Sequence, residues 1–316
     1  MKLQSTSHFL SFILLSTLSA CQIAPIERTY FPSTGYTSSR PLTQRTCWQQ
    51  LSPHHRESPR TFLLATAANV GELKLTHRDA QQFTHSMQSR YQIPHDQVCL
   101  MTEVYRTEFE QALQKLAQVV TPQDRVIIFF SGHGSYVKDE PNGDESDQLD
   151  DVLIPLDVNN LEMPRRQDVI VDDQLVQLVN ALPTSQVLTV IDACYAGGMY
   201  MGTAWTANQP RLKFFTKGEL GTSPPPLNIA SGSRRGGLAP LQGVMFAATQ
   251  EYQKAWEDPQ QGGVFTTCFL QELQRYSQAN LSQIFRATLA NMPTCNRTNE
   301  IQSPEMKGNL NLATHL

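Results

Sequence analysis

Apolar residues along the chain form short continuous runs that alternate with segments of helical spacing. Runs of this length and continuity are typical of strands covered on both faces, and they occur at 61–67, 98–101, 125–130 and 187–191. Weaker runs at 152–155 and 244–248 indicate two further strands. Apolar positions with helical spacing occur at about 76–90, 108–120, 172–182, 264–276 and 281–292. This alternation predicts an α/β sandwich with a mainly parallel central sheet.

The N-terminal pattern differs from that of the rest of the chain. Lys2 precedes an apolar run, 9–18, that is too short to span a bilayer and has the length of a signal-peptide core. The run ends in Leu-Ser-Ala followed by Cys21, which resembles the lipobox of bacterial lipoproteins. This resemblance implies cleavage before Cys21 and lipidation of its sulfur. The alternative is an ordinary secretory signal with an incidental cysteine.

This pattern, with the composition that follows it, predicts that the chain has three parts. Residues 1–20 are predicted to be the signal peptide, and residues 21–59, rich in Ser, Thr, Pro and Arg, a flexible tether. Residues 60–316 are predicted to form one domain. Because Gln22 rather than Asp follows the cysteine, the lipoprotein resemblance implies the bacterial outer membrane, with the domain facing the periplasm.

Composition and charge argue against a nucleic-acid-binding function and raise two questions about cations and thiols. The 316 residues carry 25 Lys and Arg against 29 Asp and Glu, so no overall basic field attracts nucleic acid. Acidic residues crowd the stretch 139–151, which must be solvated or bound to a cation. With Cys21 assigned to the anchor, five cysteines remain, and at least one thiol should stay free.

Two of the predicted strands end in residues suited to nucleophilic catalysis. The run 125–130 leads into His133, and the run 187–191 leads into Cys194. In open α/β sheets, functional groups gather at the carboxyl ends of the strands. A thiol attacks a carbonyl as thiolate, and a histidine can take its proton and later pass it to the leaving amine. Taken singly, a cysteine after a strand is usually a core residue, whereas two such strand ends together favour a catalytic pair.

The sequences around these two residues resemble the His and Cys motifs of caspase-like cysteine peptidases, in particular the bacterial metacaspases or orthocaspases. The motifs are Phe-Phe-Ser-Gly-His-Gly at 129–134 and Asp-Ala-Cys-Tyr-Ala-Gly at 192–197. Further similar segments follow in the family's order at 142–145, 153–157, 171–173 and 263–266. The resemblance covers about 61–269. It implies a caspase-like α/β/α sandwich and a cysteine endopeptidase acting on protein or peptide substrates.

The resemblance also assigns roles to residues of the predicted site. It implies that Cys194 is the nucleophile and His133 the general base and acid. The backbone N–H groups of Gly134 and Cys194 would bind the oxyanion that develops in the transition state. Tyr195 and Ala196 stand where metacaspases usually carry His and Ser, a change that leaves both catalytic groups in place.

Three further residues match the metacaspase pocket for a basic side chain: Asp79, Ser131 and Asp192. The resemblance thus implies cleavage after Arg or Lys. Charge supports it, because a pocket with two carboxylates repels an Asp side chain and pairs with a guanidinium or ammonium. As alternatives, Asp79 would be a helix-surface acid, Ser131 would shape its turn, and Asp192 would bind backbone beside the cysteine.

Many metacaspases bind calcium through a cluster of aspartates. The resemblance points to Asp172 and Asp173, with Asp147 as a third ligand, and hard cations take several such oxygens. Met201 stands where a further family aspartate would follow the cysteine, and capping of a helix is an alternative role for Asp172. The thiol chemistry itself needs no cofactor.

The span 197–240 lacks any period and is expected to be a loop. It contains Lys217 and the pair Arg234 and Arg235, at which an enzyme specific for basic residues would cut itself. Two other functions remain open from the sequence. One is an inactive caspase-like scaffold that binds partners at the membrane, and the other is a transpeptidase or ligase that uses the same thiol.

Overall fold

The structure is a computed structural model, and it describes residues 47–48, 51, 58–138, 149–156, 165–194, 210–213, 241–250 and 253–312. The strands of the described part, in chain order, are β1 (Thr61–Ala67), β2 (Val98–Met101), β3 (Arg125–Ser131), β4 (His133–Lys138), β5 (Leu149–Ile154), β6 (Ile170–Val171), β7 (Val187–Asp192), β8 (Arg211–Leu212), β9 (Val244–Ala247), β10 (Trp256–Asp258), β11 (Gly262–Gly263) and β12 (Glu305–Gly308). The α-helices are α1 (Thr76–Tyr91), α2 (Arg106–Val119), α3 (Asp172–Asn180), α4 (Val264–Arg275) and α5 (Leu281–Cys295).

A six-stranded sheet with the strand order β12-β9-β7-β3-β1-β2 forms the centre of the fold. Its strand pairs are parallel except for β12 with β9. Residues of β1 and β3 alternate between two apolar clusters. Phe62 and Ile128 pack with side chains of α2 and α3, whereas Leu63 and Phe129 pack with side chains of α1, α4 and α5. Both faces of the sheet are therefore covered by helices, which confirms the predicted α/β sandwich.

Two small antiparallel sheets extend this framework. One has the order β4-β5-β6, and the other has the order β11-β10-β8. Of these six strands the apolar pattern predicts only a part of β5, because the others are short or polar. Strand β8 lies in the span that was expected to be a loop, and this expectation is wrong at Arg211–Leu212.

Two disulfides link described cysteines: Cys47 with Cys99, and Cys268 with Cys295. Among the cysteines of the described ranges, Cys194 alone keeps a free thiol. The Cys47 disulfide attaches the segment predicted as a tether to β2, and Trp48 beside it is buried in the core. Part of that segment therefore belongs to the packed domain.

The predicted signal peptide and Cys21 lie outside the described residues. In the part of the chain that is described, no helix is long and apolar enough to cross a membrane.

Candidate active site

His133 and Cys194 leave the central sheet side by side. Strands β3 and β7 are parallel neighbours, and their last pair is Ser131 opposite Asp192. Each of the two residues follows that pair by two positions, at the carboxyl ends of the strands. Gly134 lies directly on the backbone of Cys194, where a Cβ atom at 134 would overlap the Cys194 carbonyl oxygen. Glycine is therefore required at 134 for this close approach.

The imidazole of His133 is fully buried and held in one orientation. Its Nε2 lies 3.0 Å from the carbonyl oxygen of Val70, and since that oxygen only accepts, Nε2 carries the proton. Nδ1 is then the basic nitrogen of the neutral ring. Burial lowers the pKa of His133 to about 4, although hydrogen bonds to the backbone of Val70 and Lys213 oppose the change. The ring is therefore neutral at physiological pH.

The thiol of Cys194 is also buried. Its Sγ accepts a hydrogen bond from the backbone N–H of Ala255 at 3.0 Å and lies 3.5 Å from the carbonyl oxygen of Ala255. Burial raises the pKa of Cys194 to about 12, although the Ala255 bond and the charge of Lys213 oppose the rise. In this closed arrangement the sulfur and the imidazole are both neutral.

One carbonyl group meets both predicted oxyanion donors. The backbone N–H of Gly134 donates to the carbonyl oxygen of Lys213 at 2.9 Å, and the N–H of Cys194 donates to the same oxygen at 3.3 Å. The backbone N–H of Lys213 in turn donates to Ala255 O at 2.9 Å. The main chain at Lys213 therefore lies across the Cys194 site, a position that no local pattern in the sequence indicates.

The side chain of Lys213 reaches the three residues predicted to form the basic-residue pocket. Its Nζ lies 3.0 Å from Asp192 Oδ1 and 3.4 Å from Asp79 Oδ2. It also donates to Ser131 Oγ at 2.9 Å and to the Asp192 carbonyl oxygen at 3.1 Å. All four side chains are fully buried. The structure thus brings Asp79, Ser131 and Asp192 together around one ammonium group, and Asp79 is not a helix-surface acid.

The two carboxylates of this pocket are held in place by α4 and by β11, which precedes it. Asp192 Oδ2 accepts from Thr266 Oγ1 at 2.6 Å and from Thr266 N at 3.1 Å. Asp79 accepts from Gly263 N at 2.9 Å and 3.0 Å. A Cβ at 263 would overlap Asp192 Oδ2, so a side chain there would close the pocket. The Gly-Val-Phe-Thr segment of the family motif supplies these groups.

The ionisation of the pocket follows from burial and charge. Burial raises the pKa of Asp79 to about 7, against the lowering effect of Lys213. Burial by itself lowers the pKa of Lys213, but the carboxylates of Asp192 and Asp79 outweigh it and leave that pKa above its ordinary value. Lys213 is therefore charged at neutral pH.

A second acidic cluster lies on the small β4-β5-β6 sheet and the start of α3. Asp150, Asp172 and Asp173 each offer an oxygen within 4.8 Å of the others. Asp150 is buried and forms an ion pair with Arg166. Asp172 is the first residue of α3 and accepts from the N–H of Asp173, while Val171 stands at the N-cap position. Asp147, predicted as the third ligand, lies outside the described residues, and Asp150 was missed although it belongs to the acidic stretch.

Comparisons with known proteins match most of the chain. A model of the caspase domain family matches residues 65–313. The chain is 27% identical over 267 residues to metacaspase-1 of Arabidopsis thaliana, covering 76% of this chain and 66% of that protein. It is 27% identical over 219 residues to metacaspase-2 of the same plant, covering 65% and 49%. The chain thus spans about half to two thirds of the length of these relatives.

Among solved structures, protein GSU0716 from Geobacter sulfurreducens is similar with a TM-score of 0.54 and 19% identity. The match covers 79% of this chain and 93% of that one. At this identity the likeness concerns the fold alone.

Proposed function

The chain belongs to the caspase domain family, and from this premise we propose that it is a cysteine endopeptidase that hydrolyses peptide bonds after Lys or Arg. The observation that carries the proposal is the position of Lys213. Its ammonium group lies among Asp79, Ser131 and Asp192, while its carbonyl oxygen accepts from two backbone N–H groups at the cysteine. A lysine substrate would be held in the same way before attack.

The first half of the reaction is acyl transfer to sulfur. His133 Nδ1 takes the thiol proton as Cys194 Sγ attacks the carbonyl carbon, and a carbon–sulfur bond forms. The C–N bond then breaks, and His133 returns the proton to the leaving amine. Because the N–H groups of Gly134 and Cys194 already converge on one carbonyl oxygen, they would stabilise the negative charge that develops there.

The second half releases the enzyme. Water gives a proton to His133 and attacks the thioester carbon, the carbon–sulfur bond breaks, and the sulfur recovers the proton. The products are a peptide ending in a Lys or Arg carboxylate and a peptide with a new amino terminus. An amine in place of water would give a transpeptidase, and the mass of the product distinguishes the two reactions.

No cofactor enters these steps, since nucleophile, base and oxyanion donors are all protein groups. The three carboxylates of Asp150, Asp172 and Asp173 suit a calcium ion as a donor set, with Arg166 competing for Asp150. Calcium bound there would neutralise the negative charge of the cluster. We propose that the peptidase chemistry proceeds without it.

We also propose that the peptidase is a bacterial lipoprotein anchored through Cys21 at the outer membrane, facing the periplasm. The lipobox-like sequence supports this proposal. Expression of the full chain with labelled palmitate tests it. Label should enter the wild type and not the Cys21→Ser variant, and equal labelling of both would refute the anchor.

The peptidase itself is tested with fluorogenic peptides that end in Lys, Arg or Asp. The wild type should cleave the Lys and Arg peptides, and Cys194→Ala and His133→Ala should lose at least about 10³-fold in kcat/KM. Full turnover by Cys194→Ala would overturn the assignment of Cys194 as the nucleophile. Cleavage of the Asp peptide alone would overturn the proposed specificity of the pocket for basic side chains. If none of the peptides is cleaved, the result would favour an inactive scaffold.

A further inference from the structure

The residues that precede Lys213 form an added strand. The space that Arg211, Leu212 and Lys213 occupy beside β10 and Cys194 is here called the cleft. Strand β8 pairs antiparallel with β10, with Leu212 opposite Trp256 and Arg211 opposite Glu257. An extended peptide that joins a sheet edge in this way places its side chains in defined positions against the partner strand. If Lys213 stands for the residue before the cleaved bond, Arg211 stands for the residue two positions earlier.

Arg211 meets a dedicated partner at this position. Its Nη1 donates to Glu257 Oε1 at 2.7 Å, and the Glu257 side chain is fully buried while that of Arg211 is 15% exposed. Leu212 between the two basic residues is buried among apolar side chains that include Trp256. The cleft therefore contacts a basic, an apolar and a basic residue in succession.

The carboxylate of Glu257 is held by backbone groups as well as by Arg211. Its Oε2 accepts from the backbone N–H of Leu75 at 2.8 Å, and its Oε1 and Oε2 accept from that of Lys74 at 3.1 and 3.3 Å. These bonds come from the turn that leads into α1. A buried carboxylate held by backbone groups and facing the cleft is suited to bind a cation, because its position costs the substrate little ordering.

We propose that Glu257 determines specificity at a second position, selecting a basic residue, with Arg preferred, two residues before the Lys or Arg at which the chain is cut. This inference rests on the proposed peptidase function. Arginine fits better than lysine because its planar guanidinium reaches the carboxylate from the strand edge with directional N–H groups. The recognised class of substrate is then a peptide of the form basic-apolar-basic, cut after the last residue.

The test uses the full-length enzyme, incubated until its own fragment pattern no longer changes, and three peptides with an aminocoumarin leaving group. All end in Leu-Lys, and the preceding residue is Arg, citrulline or Ala. Citrulline has nearly the shape of Arg without its charge. The Arg peptide should exceed the citrulline peptide by at least about tenfold in kcat/KM, as expected for a charge-assisted bond at a buried carboxylate.

Glu257→Gln should reduce this Arg-to-citrulline ratio to near one. The ratio within a single variant cancels any general loss of activity that follows from the Lys74 and Leu75 bonds. Asp258→Asn is the matched control, since it removes a neighbouring negative charge on the same strand, and it should keep the ratio.

Equal cleavage of the Arg and citrulline peptides by the wild type would overturn the inference while leaving the peptidase assignment intact. A ratio that survives Glu257→Gln, or that collapses equally in Asp258→Asn, would overturn it as well. If no peptide ending in Lys is cleaved at all, the proposed function fails and the inference fails with it.

Discussion

Replacement of Lys213 by Met tests whether the segment in the cleft is itself a substrate. The carbonyl of Lys213 lies on the predicted oxyanion donors, so we expect the wild-type chain to cut its own Lys213–Phe214 bond. Methionine keeps much of the length and the apolar character of the lysine side chain but removes its charge. Lys213→Arg is the matched control, because a guanidinium can pair with the same carboxylates.

The size of the effect follows from the contacts that are lost. Lys213 Nζ makes two ion pairs with carboxylates, at 3.0 and 3.4 Å, and all three side chains are fully buried. Removing one partner of a buried pair costs about 3–5 kcal/mol, because the remaining charges lose their compensation. At about 1.4 kcal/mol per factor of ten, the lower end of this range predicts that self-cleavage slows by at least about a hundredfold.

The assay follows the purified chain by gel electrophoresis and intact mass. The wild type and Lys213→Arg should yield a fragment that begins at Phe214, Lys213→Met should yield it far more slowly, and Cys194→Ala should stay intact. Thermal unfolding of the Lys213→Met variant in the Cys194→Ala background controls for loss of the fold.

Two results would refute this reasoning. One is an unchanged rate of cutting at 213–214 in Lys213→Met. The other is a wild-type enzyme that cleaves Lys peptides yet keeps its own 213–214 bond intact. Cuts at Lys217 or at the pair Arg234 and Arg235, which lie outside the described residues, remain a separate prediction, and substitutions there should leave the Lys213 cut unchanged.

Three further predictions concern the pocket, the oxyanion donors and the fold. With a lysine ammonium in the pocket the pKa of Asp79 is about 7, and protonation removes a negative charge that faces this cation. The kcat for Lys peptides should therefore fall as the pH drops through 7, and the kcat profile of Asp79→Asn should lack this limb. Gly134→Ala should lower kcat about a hundredfold, because the added Cβ overlaps the Cys194 carbonyl and displaces a donor; near-normal turnover would contradict this. Asp124→Ala removes the carboxylate that forms an ion pair with the buried Arg60 guanidinium, although the bond from Arg60 to the Val119 carbonyl oxygen stays. It should lower the free energy of unfolding by about 3–5 kcal/mol in urea titrations, whereas a loss below about 1 kcal/mol would show that the pair is dispensable.

The central sheet could be predicted because its main strands are apolar on both faces. The predicted runs 61–67 and 125–130 coincide with β1 and β3 to within one residue. The placing of His133 and Cys194 at one edge followed from the parallel order of their strands, since equal positions at the carboxyl ends of neighbouring strands meet in space.

The occupant of the cleft could not be predicted in the same way. Lys213 follows a strand of two residues, too short to show a period, and its partners lie far away in the sequence. Glu257 could not be predicted from the sequence either, because its contact with Arg211 depends on the register between β8 and β10. Thr266 could have been predicted as a site residue, because it ends the Gly-Val-Phe-Thr motif. In the structure its hydroxyl donates to Asp192. Contacts that arise only from tertiary pairing leave no local pattern.

Among the described residues, four separate stretches of polypeptide surround the side chain of Lys213: the start of α1, the ends of β3 and β7, and β11 with the start of α4. The pocket beside Cys194 is therefore complete only when the last of these stretches, near the C-terminal end of the matched domain, has packed against the others. Under the proposed function, a chain that has not yet folded completely could not select a substrate, and activity would arise only with the complete domain.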